Sequence, residues 1–480
     1  MIVILSSTIV AKVLLSAVNL IHTPREGIFL RKKTDKDYYY WSLRNVIKKW
    51  PVWLSNFSPS PVMDKILLTL FGVEMNDISN LNGVTLDTEF ISIGKNVSIG
   101  AGTYVRSSMI ISKFLIIKRI VIKENVNIGP QSFISPGTRI GENVFVNASS
   151  LTKVNQNLQS NRIYGGYPAK MVDKRDNLNW DDENSSEKEY LLNVFNKPNE
   201  KIRKKFEGRF ATNIPQYLLI FFLIYIFSYG IPFYSLTSFI IEIFYPYFLN
   251  NSGFFSIFIT PFSLYVVLFT PLILIGLYLF NLFLVAIITK IMYLYIERYC
   301  PFQEGVYNWQ EKTKEYDYYF IRSFLIRYIK WRCLKSPFPW LLAPFFNFIG
   351  NCYIGKNSVI EDLYMAKEYV WIGDDVYLGN ILLANHYWDK NLTVKGIKIE
   401  DNAVICDGCC IGPGSYIQKN ATLLPLSITT KSDIMKSDEF YHNIPIKKMK
   451  SAKIIDFFDL NSESSEMTSK FKKYIIKTTT

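Results

Sequence analysis

Three histidines, His22, His386 and His442, are the residues of this sequence best suited to proton transfer near neutral pH. An imidazole with an unperturbed pKa of about 6.5 can take a proton from an attacking amine or hydroxyl and give it up later. Of the three, His386 lies in a loop, NILLANHYWDKNLTVKG (380–396), with polar neighbours on both sides. We therefore expect His386 to act as a general base, and an ordinary surface histidine is the alternative.

Asn385 and Asp389 flank this histidine and complete the predicted catalytic set. The Asp389 carboxylate could orient the imidazole or an acceptor amine, although a solvated turn carboxylate explains it equally well. His22 follows an apolar segment, where a capping or interfacial role is expected. His442 lies in the motif YHNIPIK (441–447), and contact with substrate is the less favoured interpretation there.

All six cysteines lie between Cys300 and Cys410, and three of them form CDGCC (406–410). A metal site would need further ligands at suitable spacing, and His386 is the only histidine that could approach. We expect packing roles for Cys406 and Cys409, and no bound metal. No disulfide framework is implied, which suits a cytoplasmic location.

The loop that contains His386 interrupts a six-residue pattern. An aliphatic residue recurs every six positions, and a small residue stands four positions after each. Neither a helix nor an extended strand has this period. Short strands joined by tight turns do, with three sides per coil and coils stacked about 4.8 Å apart. The aliphatic positions are Ile122, Ile128, Ile134, Ile140 and Val146, then Ile399, Ile405, Ile411, Ile417 and Leu423; the small positions are Val126, Ser132, Thr138, Val144 and Ser150, then Ala403, Cys409, Ser415, Ala421 and Ser427.

The pattern belongs to a unit that occurs twice. Three pairs of segments recur at nearly constant separation: EFISIGKNVSIG (89–100) with EYVWIGDDVYLG (368–379), EGIF at Glu26 with EGVY at Glu304, and YGGYPAK at Tyr164 with YHNIPIK at Tyr441. The separation between the paired segments changes very little from one pair to the next, which predicts an internal duplication with minor changes in loop length.

The repeats resemble those of the hexapeptide-repeat acyltransferases, which fold as left-handed parallel β-helices. The resemblance covers about 72–172 and 346–449, and each block ends on a motif similar to the G-x-P-A-K of that family. It implies that the loop histidine, here His386, acts beside an acyl donor, either coenzyme A or a phosphopantetheine-linked acyl group. It also implies donor contacts from backbone amides and from Lys398, Lys419 and Lys447, and it implies no metal.

The loop of the first copy, AGTYVRSSMIISKFLIIKR (101–119), contains Ser107 and Ser108 but no histidine. We therefore expect the second copy to be catalytic and the first to be a degenerate scaffold or docking surface.

From end to end, the chain is similar to the membrane-embedded tandem C-terminal region of poly-lysine-type nonribosomal peptide synthetases. An apolar segment, an EG motif and an aromatic, basic helix precede each block of repeats; the two helices are YYYWSLRNVIKKW (38–50) and YDYYFIRSFLIRYIKW (316–331). The chain departs from that family in having no adenylation or carrier domain and two repeats rather than three. Another protein, or coenzyme A, must then supply the activated acyl group.

Apolar residues are concentrated in blocks of this 480-residue chain, which is 49% hydrophobic and 20% charged. Residues 214–296 contain only Glu242 and Lys290 as charges, enough for at least two membrane spans of about 20 residues. The prolines and glycines in this block could also divide it into four shorter helices. Ile2 to Ile21, interrupted by Lys12, is a further candidate span.

The formal net charge of +13 gathers beside these apolar blocks, for example in KIRKKFEGR (201–209). The positive-inside rule then places the flanks in the cytoplasm. Attraction to anionic headgroups explains the same charges without nucleic-acid binding.

The expected fold combines membrane α-helices with all-β structure, as two left-handed parallel β-helix domains in an internal duplication. The expected divisions are a membrane anchor and interfacial helices (1–71), a degenerate β-helix domain (72–175), a linker (176–210), a polytopic transmembrane block (211–298), interfacial helices (299–345), a catalytic β-helix domain (346–450) and a mobile, mostly polar tail (451–480).

These expectations describe a multi-pass cell-membrane acyl- or aminoacyltransferase whose β-helices face the cytoplasm. Its partners would be the acyl donor or a carrier protein and the lipid bilayer, with a possible homo-oligomer. The alternative is a non-catalytic membrane scaffold or a transporter-like protein. The central block has few ionisable residues to mark a transport pathway. Carbonic anhydrases with this fold bind zinc through three histidines, and one loop histidine does not supply such a site. Sugar nucleotidyltransferases carry an additional nucleotide-binding domain, and we find no such domain before the coils.

Overall fold

The computed structural model describes residues 2–55, 61–75, 81, 83–174, 214–250, 260–308, 314–334, 336, 338–361, 364–365, 368–388, 391–462 and 465–479. A π-helix (Ile240–Leu249) continues α4 and a 3-10 turn (Pro339–Leu341) precedes α7. The α-helices of these residues are α1 (Ile2–Ile21), α2 (Lys36–Ser55), α3 (Pro61–Phe71), α4 (Ile214–Phe239), α5 (Pro261–Tyr299), α6 (Lys314–Leu334), α7 (Leu342–Ile349), α8 (Ser451–Phe457) and α9 (Glu466–Thr479).

Unit 1 is the first block of strands. Its coils form three sheets, ordered β2-β4-β9-β12-β14, β5-β10-β13-β15-β16 and β3-β6-β11, and a hairpin sheet β1-β8-β7 projects from them. The strands are β1 (Gly27–Leu30), β2 (Glu74–Met75), β3 (Thr85–Leu86), β4 (Ile91–Ile93), β5 (Ser98–Ile99), β6 (Tyr104–Val105), β7 (Ser108–Ile111), β8 (Phe114–Ile117), β9 (Ile120–Ile122), β10 (Asn127–Ile128), β11 (Phe133–Ile134), β12 (Arg139–Ile140), β13 (Phe145–Val146), β14 (Asn157–Leu158), β15 (Arg162–Gly165) and β16 (Lys170–Lys174).

Unit 2 repeats this arrangement. Its three sheets are β18-β21-β26-β29-β31, β19-β22-β27-β30-β32-β33 and β20-β23-β28, with the hairpin sheet β17-β25-β24. The strands are β17 (Gly305–Asn308), β18 (Cys352–Ile354), β19 (Val359–Ile360), β20 (Tyr364–Met365), β21 (Val370–Ile372), β22 (Tyr377–Leu378), β23 (Leu382–Leu383), β24 (His386–Trp388), β25 (Asn391–Val394), β26 (Ile397–Ile399), β27 (Val404–Ile405), β28 (Cys410–Ile411), β29 (Tyr416–Ile417), β30 (Thr422–Leu423), β31 (Ile434–Met435), β32 (Phe440–His442) and β33 (Lys447–Lys448).

The interior of each prism consists of the residues that set the six-residue pattern. Every aliphatic and small position predicted from that pattern is at most 1% exposed. Equivalent strands stack in register, so that Ile140 pairs with Ile122 below it and with Leu158 above it. Coils approach closely at the corners: a Cβ on Gly129 would lie 2.4 Å from the Ala148 amide nitrogen. Three-sided parallel β-helices are therefore present in both units.

The two units pack directly against each other. The Arg106 guanidinium of unit 1 lies 2.9 Å from Asp407 of unit 2. The Cys406 thiol lies 3.8 Å from the Ile110 carbonyl oxygen, and the Tyr167 hydroxyl donates a hydrogen bond to the Pro425 carbonyl. One apolar cluster joins side chains of both units, including Phe133, Leu151, Tyr377, Val404 and Phe440. The units thus share a core rather than being linked only by the chain between them.

Two helical segments between the units, Pro215–Leu249 and Pro261–Tyr299, are long and apolar enough to cross a membrane. Among the described residues, this region therefore contains two long helices; the sequence had left four shorter helices as an alternative. Helix α6 runs antiparallel to α5, because Arg322 donates to the Cys300 carbonyl while Arg332 donates to Asn281. Ser6–Ile21 of α1 forms a shorter apolar helix.

The expectation of a mobile tail after residue 450 is wrong for the residues described. Helices α8 and α9 fold back from unit 2 onto unit 1, where Phe471 packs on Phe114 at a ring distance of 4.5 Å. Lys153 also pairs with Asp456 at 2.7 Å. The mostly polar composition concealed Phe471 and Ile475, which are four residues apart on one helix face and are both fully buried.

Candidate functional site

His386 opens strand β24 of the unit 2 hairpin. It pairs with Val394 of β25, and Val394 pairs with Gly305 of β17, which follows α5 closely in sequence. The hairpin packs against α6 through an aromatic and aliphatic cluster that includes Leu392, Val394 and Tyr319. The candidate base is thus placed between the β-helix and a helix outside it.

Asn385 contacts both His386 and its surroundings. Asn385 Nδ2 donates to the Glu368 carbonyl oxygen at 2.8 Å. Asn385 Oδ1 accepts from the Tyr319 hydroxyl at 3.2 Å and lies 3.3 Å from His386 Nδ1. The Asn385 side chain is buried, so its amide has little access to water.

These contacts indicate which imidazole nitrogen carries the hydrogen. A carbonyl oxygen only accepts, so the Glu368 carbonyl requires the NH2 group of Asn385 on its side and the Oδ1 atom on the other. Oδ1 in turn accepts only, so His386 Nδ1 must carry the hydrogen. In the neutral imidazole, Nε2 is then the nitrogen without a hydrogen. This tautomer is the one in which Nε2 can take a proton.

Below Asn385, a buried ion pair supports the site. Arg322 of α6 donates to Glu368 Oε1 at 2.6 Å, and Tyr293 of α5 donates to the same oxygen at 3.2 Å. Burial raises the pKa of Glu368 to about 7, and the nearby Arg322 opposes that rise. The pair fixes the segment whose carbonyl orients Asn385.

The other predicted site residues are more dispersed. Asp389 lies outside the described residues. Lys398 and Lys419 extend from the β-helix surface, where they lie 3.4 Å from Glu400 and 3.7 Å from Asp401. Lys447 is exposed on β33, opposite His442. The structure therefore brings Asn385 and His386 together, while Lys398 and Lys419 lie beside carboxylates of the β-helix surface.

The remaining histidines have other neighbours. His22 Nε2 lies 3.3 Å from Asp37 and the ring stacks on Tyr40, as expected of a residue at a helix end. His442 stacks on Tyr167 of unit 1. Burial, with Lys453 and Lys447 nearby, lowers the pKa of His442.

Unit 1 has the same framework with different chemistry. Ser108 pairs with Ile117, which pairs with Gly27, so Ser108 stands where His386 stands in unit 2. Ser107 Oγ donates to the Glu89 carbonyl at 2.6 Å, as Asn385 does to Glu368. Arg44 pairs with Glu89 as Arg322 pairs with Glu368. The supporting groups therefore recur without the histidine.

Charged side chains surround Ser108. Asp87 accepts hydrogen bonds from the Ser108 hydroxyl and amide at 2.7 and 3.0 Å. Arg106 joins Asp87 to Asp407 of unit 2, at 2.9 Å from each. The corresponding position two residues before His386 is Ala384, which has no such group. Unit 1 thus has a charged bridge to unit 2 beside this position, where unit 2 has an alanine, although Ser108 and His386 are both partly buried.

Three supporting residues, Tyr319, Arg322 and Glu368, were not predicted. A signal was present for two of them, because Glu89 and Glu368 both open the repeated motif, and Arg44 and Arg322 both lie in the aromatic, basic segments. Equivalent charges of opposite sign in both copies indicate a structural pair. Nothing in the sequence indicated that Tyr319 would reach Asn385.

The cysteines have the packing roles predicted for them. Cys409 faces the interior of unit 2, and Cys406 lies in the interface between the units. Burial raises the pKa of both thiols. Among the described residues, no group of three or more His, Cys, Asp and Glu side chains could hold a metal ion.

Comparison with known proteins gives matches to parts of the chain. The profile of the hexapeptide repeat of succinyl-transferase matches residues 119–149, in unit 1, in agreement with the predicted acyltransferase class. No curated protein matches the chain significantly.

Several solved structures are similar to part of the chain. One is a hexapeptide-repeat acetyltransferase from Vibrio cholerae O1 biovar eltor complexed with acetyl coenzyme A (22% identity, 30% of this chain and 91% of that chain, TM-score 0.25). Another is a maltose O-acetyltransferase from Clostridium difficile 630 (18%, 27% and 87%, TM-score 0.23). A third is an N-acyltransferase from Bacillus cereus complexed with dTDP and 3-hydroxybutyryl-CoA (20%, 26% and 86%, TM-score 0.15).

Proposed function

We propose that this chain is a membrane-bound acyl- or aminoacyltransferase in which His386 is the general base. The observation that supports this most directly is the hydrogen-bond chain from the Glu368 carbonyl through Asn385, which leaves Nε2 of His386 as the proton acceptor. A histidine in the hairpin of a hexapeptide-repeat unit is also the arrangement that the resemblance implies. The donor is a thioester of coenzyme A or of a carrier-bound phosphopantetheine.

In this mechanism the acceptor amine, or less favourably a hydroxyl, attacks the thioester carbonyl carbon. His386 Nε2 takes the proton that the attacking nitrogen loses, while Nδ1–H remains bonded to Asn385 Oδ1. The tetrahedral intermediate then expels sulfur: the C–S bond breaks, and the imidazolium returns its proton to the thiolate. The products are an amide and a free thiol. General base catalysis of this kind typically contributes about 10²–10⁴-fold to the rate.

Unit 1 has a different part in the proposal. Its Ser108 is bound to Asp87, and Arg106 fills the space toward unit 2. We assign unit 1 the role of a scaffold that holds unit 2 from one side.

The membrane location rests on Pro215–Leu249 and Pro261–Tyr299. Because the two units touch, they lie on one side of any membrane that these helices cross, which requires an even number of spans between them. Two spans satisfy that condition. The basic flanks support a cytoplasmic position for this side, under the positive-inside rule. The acceptor would then be lipid-linked or be delivered by a partner protein.

The test compares extracts of host cells producing equal amounts of wild type, His386→Ala and Ser108→Ala. Untargeted mass spectrometry of membranes and medium needs no prior choice of substrate. We expect an acylated or peptide-linked product that disappears with His386→Ala and persists with Ser108→Ala. If His386→Ala leaves the product unchanged, the base is wrongly assigned. If wild type forms no product above the empty host, a non-catalytic scaffold becomes the better interpretation.

A further inference from the structure

We propose that Tyr319, on helix α6, is a positioning residue for His386. This inference rests on the proposed function. Tyr319 is outside the β-helix, and the mechanism above gives it no proton to transfer. It acts through Asn385, which in turn sets the tautomer of the imidazole.

The contacts of Tyr319 are those of a fixed side chain. It is 4% exposed, and its hydroxyl donates to Asn385 Oδ1 at 3.2 Å. Its ring meets the His386 ring edge-on, with centroids 5.8 Å apart. One side chain therefore touches both the histidine and the amide that orients it.

The Tyr319 hydroxyl also stabilises one orientation of the Asn385 amide. The Asn385 amide bridges two sites, with Nδ2 on the Glu368 carbonyl and Oδ1 facing His386. The Tyr319 hydroxyl donates to Oδ1 and so also favours the orientation in which Oδ1 faces His386. If the Asn385 amide were flipped, its NH2 group would face the Tyr319 O–H, and two donors would then oppose each other. Oδ1 then stays available when His386 becomes positively charged. A hydrogen bond from the charged imidazolium is stronger than one from the neutral ring.

Unit 1 offers an internal comparison. The residue three positions before Arg44 is Trp41, and the residue three positions before Arg322 is Tyr319. Both arginines pair with the equivalent glutamate, so the two aromatic residues occupy matching places on α2 and α6. The unit with a histidine has a phenol at this place, and the unit without one has an indole. This correspondence links the hydroxyl to the histidine rather than to the fold.

The experiment uses the full chain in detergent or nanodiscs, with the acyl thioester and acceptor identified from the extracts. Tyr319→Phe removes only the hydroxyl. The matched control is Tyr307→Phe, which removes a hydroxyl from the same aromatic cluster, where it donates to the Gln303 carbonyl. We expect Tyr319→Phe to lower kcat about fivefold, with KM for the donor within twofold of wild type.

A double-variant comparison separates positioning from simple packing. In an Asn385→Ala background, Tyr319→Phe should have little further effect on kcat, because its hydroxyl then has no amide to hold. Equal kcat for wild type and Tyr319→Phe would overturn this inference alone, provided that His386→Ala is inactive. An active His386→Ala would overturn the proposed function itself.

Discussion

Ser108 and His386 occupy the same position in the two units. Each begins the first strand of its hairpin, and each lies across the sheet from a glycine two strands away, Gly27 in unit 1 and Gly305 in unit 2. Beneath each, a residue donates to the carbonyl of a glutamate that pairs with an arginine. The two units therefore differ at the reactive position more than in the framework that supports it.

A first prediction concerns transfer of the site from unit 2 to unit 1. Ser107→Asn with Ser108→His, placed in a His386→Ala chain, should restore no more than a few per cent of the wild-type rate. The reason is that Arg106 bridges Asp87 and Asp407 and closes the approach. Initial rates of thiol release measure this. Adding Arg106→Ala tests the reason: substantial recovery only in that variant would support closure by Arg106, and recovery without it would refute this account.

A second prediction concerns the contact between the units. Arg106→Met should lower the free energy of unfolding by about 3–5 kcal/mol, because it leaves two half-buried carboxylates unpaired. The control is Arg119→Met, whose more exposed ion pairs with Glu26 and Glu74 should contribute about 0–1 kcal/mol. Chemical unfolding in detergent gives both values. Equal effects of the two substitutions would mean that the bridge does not hold the units together.

A third prediction follows from the pKa of Glu368, raised to about 7 by burial. Between pH 5 and 7 the folded chain holds a proton that the unfolded chain has lost. Stability from this group is therefore largest below the unfolded pKa of about 4.5 and falls as pH rises through 7. Glu368→Gln cannot ionise, so the wild-type advantage over it should shrink by at most about 3 kcal/mol from pH 5 to pH 8. An advantage that grows with pH would show that Arg322 keeps Glu368 ionised.

A fourth prediction concerns the C-terminal helices. Phe471→Ala should reduce stability by about 3–5 kcal/mol, because its ring is buried between Phe114 and Phe458. Ile476→Ala, on the exposed side of the same helix, should cost less than about 1 kcal/mol. Thermal unfolding and limited proteolysis compare the two. If Phe471→Ala unfolds no earlier than Ile476→Ala, α9 does not contribute to the core in solution.

The interior of each unit could be predicted from sequence because one local rule governs it. Residues six apart stack directly, so Ile128 or Ile411 can be assigned without knowledge of any distant segment. The packing of the units could not be predicted in that way. Arg106 and Asp407 meet across 301 residues of chain, and neither has a local pattern that indicates its partner.

The candidate site shows the same division. His386 and Asn385 were found from a loop that interrupts the coils. The tautomer of His386 depends on Glu368 and on Tyr319 of a separate helix, and such three-dimensional contacts leave no spacing in the sequence. Likewise, the apolar face of α9 was hidden because a helix of mostly polar residues still buries Phe471 and Ile475.

The return of α9 to unit 1 has a consequence for biosynthesis. Tyr474 binds Ser112, which precedes it by 362 residues, so the ribosome must add most of the chain before the unit 1 hairpin receives this cover. At about 5–20 residues per second, the delay is on the order of tens of seconds. During that interval Phe114 of β8 lacks the cover of Phe471 and is open to water or to a chaperone. Assembly of this protein therefore has a vulnerable period that ends only when its last described helix has left the ribosome.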